Sequence, residues 1–340
     1  MNEMRGIDKF LYLLAVAVTF FACDEDNLQT DTEQVIRPLS QEEKYLVNAS
    51  NQFAYEMLSE IENEKIDGNI AFSPMGLGMS IGMMSNIDES LISNVLNIQE
   101  LNSMELNKAY FEVSSMLPLM NESVDITLVN ALWTNNEEKY SDNLSSRLMA
   151  YFDVDFREIN LRKESSQQFF NKWVSLKTSE HISAINKWSE NQGDIVFNAS
   201  VFDYALPKEA ASFNYEFTLG NWQISEYLFD NKSFSLLMFE NPDADSFHNF
   251  LSTFSIANFD ESKVLSTDAK PVPSVNINFE HEFSSMLAHS MISDKKLTHS
   301  SSFNLFNDHM KSGQVASPSL MLLKENATGL IVFIGINRSI

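Results

Sequence analysis

Few residues of this sequence are arranged in a way that supports catalysis. His281 and Glu282 begin a pattern similar to the zinc motif H-E-x-x-H, but the next histidine is His289, so the ligand spacing fails. The sequence contains neither the nucleophile pattern G-x-S-x-G nor the phosphate-binding pattern G-x-x-x-x-G-K-S/T. The remaining histidines are scattered, which is typical of surface residues or of hydrogen-bonded core residues. We therefore expect no enzymatic activity, no metal and no cofactor.

The single cysteine, Cys23, lies where its thiol is open to modification. A basic stretch is followed by an apolar run over residues 10–22, which is too short for a bilayer span of about 20 residues. A basic start, a short apolar run and a small residue at its end are typical of a secretory signal. Ala22-Cys23 resembles the end of a lipobox, in which the cysteine is lipidated, although Phe20 stands where that pattern has Leu. An ordinary signal peptide with an incidental cysteine is the alternative.

The N-terminal region therefore divides into an export signal and a linker. We predict a lipoprotein signal peptide over residues 1–22, an acidic and polar tether over residues 23–39, and one domain over residues 40–340. The acidic run that follows Cys23 resembles the surface-export tag of lipoproteins in some Gram-negative bacteria. We expect lipid anchoring to the outer membrane with the domain on the cell surface, and the periplasmic leaflet remains an alternative.

Composition limits the class of partner. The chain has 340 residues, of which 44% are hydrophobic, so a large core is available. Its formal net charge of −24 disfavours nucleic acid and anionic lipid surfaces, because both would repel it. We therefore expect contact with the membrane through the lipid anchor alone. We also expect a monomer whose partner is a protease or another extracellular protein.

Two helices are indicated at the start of the domain. Ser40 and Glu43 have the spacing of a capping box and precede a run of apolar residues four positions apart. Ser73 and Pro74 supply the N-cap and the first-turn proline of a second helix. Three glycines alternate with methionines over residues 75–84 of this helix. Because each glycine costs about 1 kcal/mol relative to alanine in a helix, we expect other elements to press closely on its backbone.

Strands are concentrated in the second half of the chain. Apolar runs and alternation predict strands over residues 125–133, 195–206, 223–229, 234–239, 320–323 and 330–336. Further helices are predicted around residues 144–152 and 169–174. Helices mainly in the first half, packed on large and mostly antiparallel β-sheets, give an α+β fold with a single domain.

Five segments, in the same order along the chain, resemble motifs of the serpin family. They are Asn69–Pro74 (N-x-x-x-S-P), Asp125–Leu132 (L-x-x-A-N-A-L-F), Phe170–Ile182 (I-N-x-W-V-x-x-x-T-x-x-x-I), Ile195–Ala199 (L-V-L-V-N-A) and Thr328–Gly335 (T-G-x-I-L-F-M-G). The resemblance implies a serpin fold and a polar cluster where the main sheet opens, formed by Ser73, Asn198 and His309. Because no activating carboxylate accompanies these three residues, a structural role is favoured over a catalytic one. The family's F-K-G-x-W is replaced here by Phe202–Leu206.

The largest departure from the family lies near the C-terminus. An inhibitory serpin carries a long strand, a hinge and a bait loop between the region like Ser302–Leu305 and the closing strands. Here only fourteen residues separate Leu305 from Leu320. The remnant of the hinge is assigned to Gly313, Gln314, Val315, Ala316 and Ser317. We predict that the reactive loop and the strand before it are deleted.

The missing loop bears directly on function. A serpin inhibits when its cleaved loop inserts into the main sheet as an extra strand, which rises about 3.3 Å per residue. Residues 313–319 are too few to cross a large sheet, and Pro318 cannot donate to a ladder. The leading hypothesis is a non-inhibitory, serpin-fold surface lipoprotein that acts as a binding or scaffold module. The alternative is a working inhibitor of serine or cysteine proteases that acts by loop insertion.

Overall fold

A computed structural model describes residues 37–135, 140–185, 194–205, 214–219, 222–229, 232–240, 264–265, 273–306 and 319–338. These residues belong to one compact unit. The expected signal peptide, Cys23 and the tether as far as Ile36 lie outside the described residues.

The described α-helices lie mainly in the first half of the chain. The six α-helices are α1 (Gln41–Asn63), α2 (Pro74–Met84), α3 (Ser90–Asn94), α4 (Ser103–Met116), α5 (Asp142–Phe152) and α6 (Glu164–Lys177), with short 3-10 helices at Leu117–Leu119 and Ser284–Leu287. The capping box predicted for α1 is confirmed, because the Glu43 N–H donates to Ser40 Oγ over 3.2 Å and the Ser40 N–H donates to Glu43 Oε2 over 2.9 Å.

Helix α2 is buried along its whole length. Ser73 caps it by accepting a 3.1 Å hydrogen bond from the Gly76 N–H, and Pro74 occupies its first turn. Both the cap and the close approach of neighbouring elements are as predicted. A Cβ atom on Gly82 would lie only 2.7 Å from the ring of Tyr110, so the glycine is required by packing.

The described strands form two sheets. They are β1 (Ile70–Phe72), β2 (Val124–Thr134), β3 (Val154–Glu158), β4 (Ile195–Ala205), β5 (Asn214–Leu219), β6 (Trp222–Leu228), β7 (Phe234–Glu240), β8 (Val264–Leu265), β9 (Val275–Glu282), β10 (Lys296–Phe306), β11 (Ser319–Glu325) and β12 (Ile331–Asn337). Seven of them pair antiparallel in the order β1-β12-β11-β7-β6-β5-β8. The other five follow the order β3-β2-β4-β10-β9. The α+β class with mostly antiparallel sheets is confirmed.

The five-stranded sheet corrects one prediction. Residues Ser302–Leu305 lie inside β10, an eleven-residue strand that pairs with both β4 and β9. The strand expected to be deleted is therefore present, and that prediction was wrong. Its sequence gave no alternating apolar pattern, because polar side chains of this strand are buried on both faces of the sheet.

Both faces of this sheet are covered by apolar packing. On one face, Phe170 and Trp173 of α6 pack against Trp133 of β2 and Phe197 of β4. The ring centroids are 4.6 Å apart for Trp133 and Phe170, and 5.1 Å apart for Phe170 and Phe197. On the other face lies the main core, to which α1, α2 and the seven-stranded sheet contribute. The central strands β4 and β10 are therefore enclosed, and their polar groups must be satisfied within the protein.

Candidate functional site

The candidate site is the seam between the parallel strands β4 and β10. Eleven consecutive residue pairs join the two strands, from Ile195 opposite Lys296 to Ala205 opposite Phe306. At about 3.3 Å per residue the seam is about 36 Å long. A strand that entered the sheet here would have to separate all of these pairs.

A buried polar cluster lies against the seam on the α2 side. The Ser73 N–H donates to His299 Nε2 over 3.4 Å, and His299 stands directly opposite Asn198 across the seam. All three residues are completely buried. Ser73 and Asn198 thus each neighbour His299, and the predicted cluster of Ser73, Asn198 and His309 stays a prediction. His309 lies outside the described residues.

His299 is held in its neutral form. Burial, followed by the neighbouring His281, lowers the pKa of His299 to about 3. Because Nε2 accepts the hydrogen bond from Ser73, the ring proton of the neutral form must lie on Nδ1. Nδ1 has no hydrogen-bond partner in the described part of the protein. A charged imidazole is therefore strongly disfavoured beneath the closed seam.

An amide network extends this cluster to β2 and α5. The Asn198 amide donates to Asn130 Oδ1 over 2.8 Å, and the Asn130 amide donates to the carbonyl of Phe152 over 2.8 Å. Ser200 Oγ donates to Asn198 Oδ1, also over 2.8 Å. Helix α2 fits against this network only because Gly76 has no side chain: a Cβ there would lie 2.2 Å from Ser200 Oγ and 2.4 Å from Asn198 Oδ1.

A second set of polar contacts spans the seam on its opposite face. His181, in the segment after α6, lies with Nε2 3.1 Å from Asp203 Oδ2 on β4. Its Nδ1 lies 3.1 Å from Asn304 Nδ2 on β10, and the same amide donates to Ser302 Oγ over 3.1 Å. Asp203 and Asn304 face each other across the seam, so His181 bridges its two strands. We call His181, Asp203 and Asn304 the outer bridge.

Together with the neighbouring Ser302, the outer bridge contains the residue types of a Ser-His-Asp triad but not its hydrogen bonds. Both ring nitrogens of His181 are occupied, one by Asp203 and the other by the amide of Asn304. No hydrogen bond from Ser302 Oγ to His181 is found among the described residues, and the hydroxyl accepts from Asn304. A nucleophile needs a base within hydrogen-bonding distance, so this arrangement supports structure and not hydrolysis.

The other end of the seam is closed by a buried ion pair. Lys295 Nζ lies 3.1 Å from Asp194 Oδ2, and both side chains are at most 5% exposed. Asp194 also accepts from the Asn135 N–H over 2.9 Å and from the Tyr140 hydroxyl over 3.1 Å. Removing one partner of such a pair would leave an uncompensated buried charge, which costs about 3–5 kcal/mol. The seam is therefore tied together at both ends.

The segment that would carry a reactive loop joins β10 to β11. Strand β10 ends at Phe306, which is 43% exposed, and β11 begins at Ser319, which is completely buried. Twelve residues, 307–318, connect the two strands. The predicted hinge remnant, Gly313 to Ser317, falls within them and lies outside the described residues, so its role stays a prediction.

Within the described residues, no group of three or more His, Cys, Asp or Glu side chains is placed to hold a metal ion. No described helix is long and apolar enough to cross a membrane.

The fold and the seam define the class of protein. The model of the serpin family, described as serine protease inhibitor, matches residues 48–227. This match covers more than half of the chain, and the chain belongs to the serpin family. Serpins are generally protease inhibitors and not themselves enzymes.

Curated relatives match only part of the chain. An uncharacterized serpin-like protein of Methanosarcina acetivorans is 27% identical over 181 residues, which are 50% of this chain and 41% of the relative. Alpha-1-antiproteinase of Rattus norvegicus is 24% identical over 231 residues, which are 64% of this chain and 50% of the relative. The chain thus matches half or less of the length of these relatives.

Solved structures support the fold over a larger share of the chain. A tumour suppressing serpin has a TM-score of 0.70 at 13% identity, covering 86% of this chain and 99% of that one. The thermophilic serpin tengpin in its native state has a TM-score of 0.70 at 15% identity, covering 89% and 96%. Thyroxine-binding globulin in complex with thyroxine has a TM-score of 0.73 at 14% identity, covering 87% and 99%. At these identities the likeness concerns the fold alone.

Proposed function

We propose that this serpin does not trap proteases and serves instead as a binding or scaffold module on the cell surface. A single observation carries the proposal, namely the twelve-residue connection between β10 and β11. Trapping by loop insertion requires a cleaved segment that adds a strand along the seam, so the length of the connection sets what the chain can do.

The connection is shorter than insertion demands. After Phe306 the chain must first reverse direction, which takes at least about two residues. At most ten residues, 309–318, would then remain for a seam of eleven pairs. Even this number requires cleavage directly before Ser319, which is buried in β11. A protease also needs exposed chain on both sides of the bond that it cuts, so the inserted length would be smaller still.

The contacts across the seam support the same proposal. Opening the sheet would disrupt the outer bridge of His181, Asp203 and Asn304, and it would separate Lys295 from Asp194. These interactions stabilise the five-stranded sheet, and a short inserted segment would form too few new hydrogen bonds to replace them.

An active inhibitor of serine or cysteine proteases is the second candidate function. Family membership and the presence of β10 favour it, since β10 is the strand that leads into the connection.

A serpin fold is also compatible with binding small molecules, as the complex of thyroxine-binding globulin with thyroxine illustrates. For this reason a binding role is a coherent alternative to inhibition.

The two candidates are separated by exposure to a panel of serine and cysteine proteases. The full chain is incubated with each enzyme and the products are separated by denaturing electrophoresis, with an inhibitory serpin as a positive control. We expect cleavage products or resistance, and no band at the summed mass of chain and protease. A band of that mass that survives denaturation would establish inhibition and overturn the proposal.

We further propose that the domain is a monomer attached to the outer membrane through lipid on Cys23. The support comes from the sequence: a short apolar run ends at Ala22-Cys23, and an acidic tether follows. The net charge of −24 disfavours direct adsorption to anionic lipid, so the anchor would carry the attachment.

A further inference from the structure

A cavity of about 250 Å³ lies between strands β9 and β10 and the segment that follows α6. Ser300 of β10 and Asn278 and Glu280 of β9 line it on the side of the sheet, and Ile182 and Ala184 line it on the side of the segment. Binding sites for drug-sized molecules typically have volumes of about 300–1,000 Å³. This cavity is smaller, so its ligand would be compact.

The strand register brings the polar residues of the cavity onto one face of the sheet. Ser300 stands directly opposite Glu280, and Ser302 stands directly opposite Asn278. Directly opposite residues of antiparallel strands share a face with Cβ atoms about 4.5–5.5 Å apart, and residues two positions apart along a strand also share a face. Because Ser302 accepts from the Asn304 amide of the outer bridge, this is the face that carries the outer bridge.

The hydroxyl of Ser300 is the most informative group in the cavity. Ser300 is 2% exposed, and its Oγ has no hydrogen-bond partner in the described part of the protein. The next residue, Ser301, points to the opposite face and donates to the carbonyl of Ala71. A buried hydroxyl without a partner is destabilising. Since Ser300 lines the cavity, its hydroxyl is available to a ligand that enters there.

Charge narrows the class of ligand. Glu280 is the only Asp, Glu, Lys or Arg among the described residues that line the cavity, and the chain carries a formal net charge of −24. Both features favour a cation and repel an anion. A carboxylate can accept about four hydrogen bonds, so Glu280 can accept one from a ligand in addition to its contacts within the protein.

The acceptors of the cavity match the donors of a primary ammonium group. Such a group has three N–H donors and no acceptor. The Glu280 carboxylate, the Ser300 hydroxyl and the side-chain oxygen of Asn278 are three groups that can accept. Hydrogen bonds between an ionised donor and an ionised acceptor are about twice as strong as neutral ones, so the carboxylate would contribute most.

The other wall of the cavity is apolar and is held in place by α6. The Ile182 N–H donates to Thr178 Oγ1 over 3.2 Å, and the Ile185 N–H donates to Asn171 Oδ1 over 3.1 Å. These bonds tie the segment to the C-terminal half of the helix, so the wall is formed before any ligand binds. The side chains of Ile182 and Ala184 would contact the aliphatic body of a ligand.

We infer that this cavity binds a small primary amine in its charged form, with the ammonium group at Glu280 and Ser300 and a short aliphatic body against Ile182 and Ala184. The inference goes beyond the proposed function and is tested separately from it, because the titrated protein is uncut. Its failure would leave the length of the connection between β10 and β11 unaffected.

The test is isothermal titration calorimetry of the full chain with butylammonium chloride. The buffer contains about 0.15 M salt, which screens charges more than about 8 Å apart and so suppresses general attraction to an acidic protein. We expect saturable binding of one amine per chain. Butyrate, which has an aliphatic body and the opposite charge, should bind at least tenfold more weakly. Butyltrimethylammonium has the same charge and no N–H donor, and it should also bind at least tenfold more weakly.

Two variants and one matched control locate the site. Glu280→Gln should weaken binding of butylammonium at least tenfold. Ser300→Ala should weaken it at least fivefold while Tm stays unchanged or rises, because the variant removes a buried hydroxyl without a partner. The control is Glu282→Gln, which causes the same change in net charge on the same strand. The Glu282 carboxylate lies 3.1 Å from Lys296 Nζ and outside the cavity, so binding should change less than twofold.

Four results would overturn the inference. They are the absence of saturable binding, equal affinity for butyrate or for butyltrimethylammonium, an equal loss of affinity in Glu282→Gln and Glu280→Gln, and undiminished binding by Ser300→Ala. The last result would mean that the Ser300 hydroxyl faces only solvent. If Glu280→Gln fails to fold, as judged by circular dichroism, Ser300→Ala and the three ligands decide the question.

Discussion

Gly76 offers the sharpest test of the packing beneath the seam. In Gly76→Ala the new methyl group would lie 2.2 Å from Ser200 Oγ and 2.4 Å from Asn198 Oδ1. Ser200 can rotate away only by giving up its hydrogen bond to Asn198, and Asn198 is held by its own hydrogen bond to Asn130. The substitution therefore forces either α2 away from β4 or the amide network apart.

The expected cost follows from three contributions. Overpacking a tight core costs about 1–3 kcal/mol. A lost hydrogen bond adds about 1 kcal/mol. Replacing glycine by alanine in a helix returns about 1 kcal/mol. The net loss in the free energy of unfolding is thus about 1–3 kcal/mol, which corresponds to a fall in Tm of about 2–6 °C for a domain of this size.

The assay is thermal unfolding followed by circular dichroism, with Ser80→Ala as the control on the same helix. Ser80 Oγ is buried without a partner in the described part of the protein, so its removal should leave Tm unchanged or raise it. Ser200→Ala should relieve part of the clash, and the double variant should show a coupling energy of at least about 0.5 kcal/mol. A Gly76→Ala protein that melts at or above the wild-type temperature would refute this account, because only the gain in helix propensity would then remain.

Three further predictions concern the core, the buried histidine and the anchor. Gly82→Leu should cost about 1–3 kcal/mol or more, because Tyr110 occupies the space of the new side chain, and an unchanged Tm would count against the packing described for α2. The pKa of His299 is about 3 in the folded protein and about 6.5 when unfolded, so its contribution to stability is present above pH 6.5 and is lost as the pH falls towards 3. Denaturant titrations should therefore show a wild-type slope steeper by up to about 1.4 kcal/mol per pH unit than that of His299→Gln, and equal slopes would contradict the assignment. Cys23→Ser should release the protein from membranes into the soluble fraction, and a variant that still sediments with membrane would contradict the lipid anchor.

The helical half of the fold was largely predictable from local chemistry. The capping box at Ser40 and Glu43 and the proline start of α2 are short-range signals, and the structure confirms both. The glycines of α2 predicted that other elements approach its backbone closely. Glycine lowers the stability of a helix, and close packing in a buried helix can offset that cost. The residues on which α2 packs at Gly76 are Asn198 and Ser200 of β4, which are distant from α2 in sequence. Of these two, the resemblance to serpins singled out only Asn198.

Strand β10 shows where sequence reasoning failed. Its polar run, Thr298–Ser302, has no alternation of apolar and polar residues, which is the usual signal of a strand. The alternation is lost because both faces bury polar groups, His299 on one side and Ser302 with Asn304 on the other. His299 was consequently not singled out. The available signal for β10 was this run of small polar residues between apolar ones. Such a run is compatible both with a buried, hydrogen-bonded strand and with a loop.

The proposed lack of protease trapping requires that the connection between β10 and β11 be too short to enter the seam. The direct measurement is the Tm of the full chain before and after a single protease cut within residues 307–318, with the cut position fixed by mass spectrometry. We predict that the nicked protein melts at the same temperature as the intact protein or below it, because fewer than eleven residues are available for a seam of eleven pairs. A nicked form that melts tens of degrees higher would mean that a strand had been added to the sheet, and the claim would be wrong.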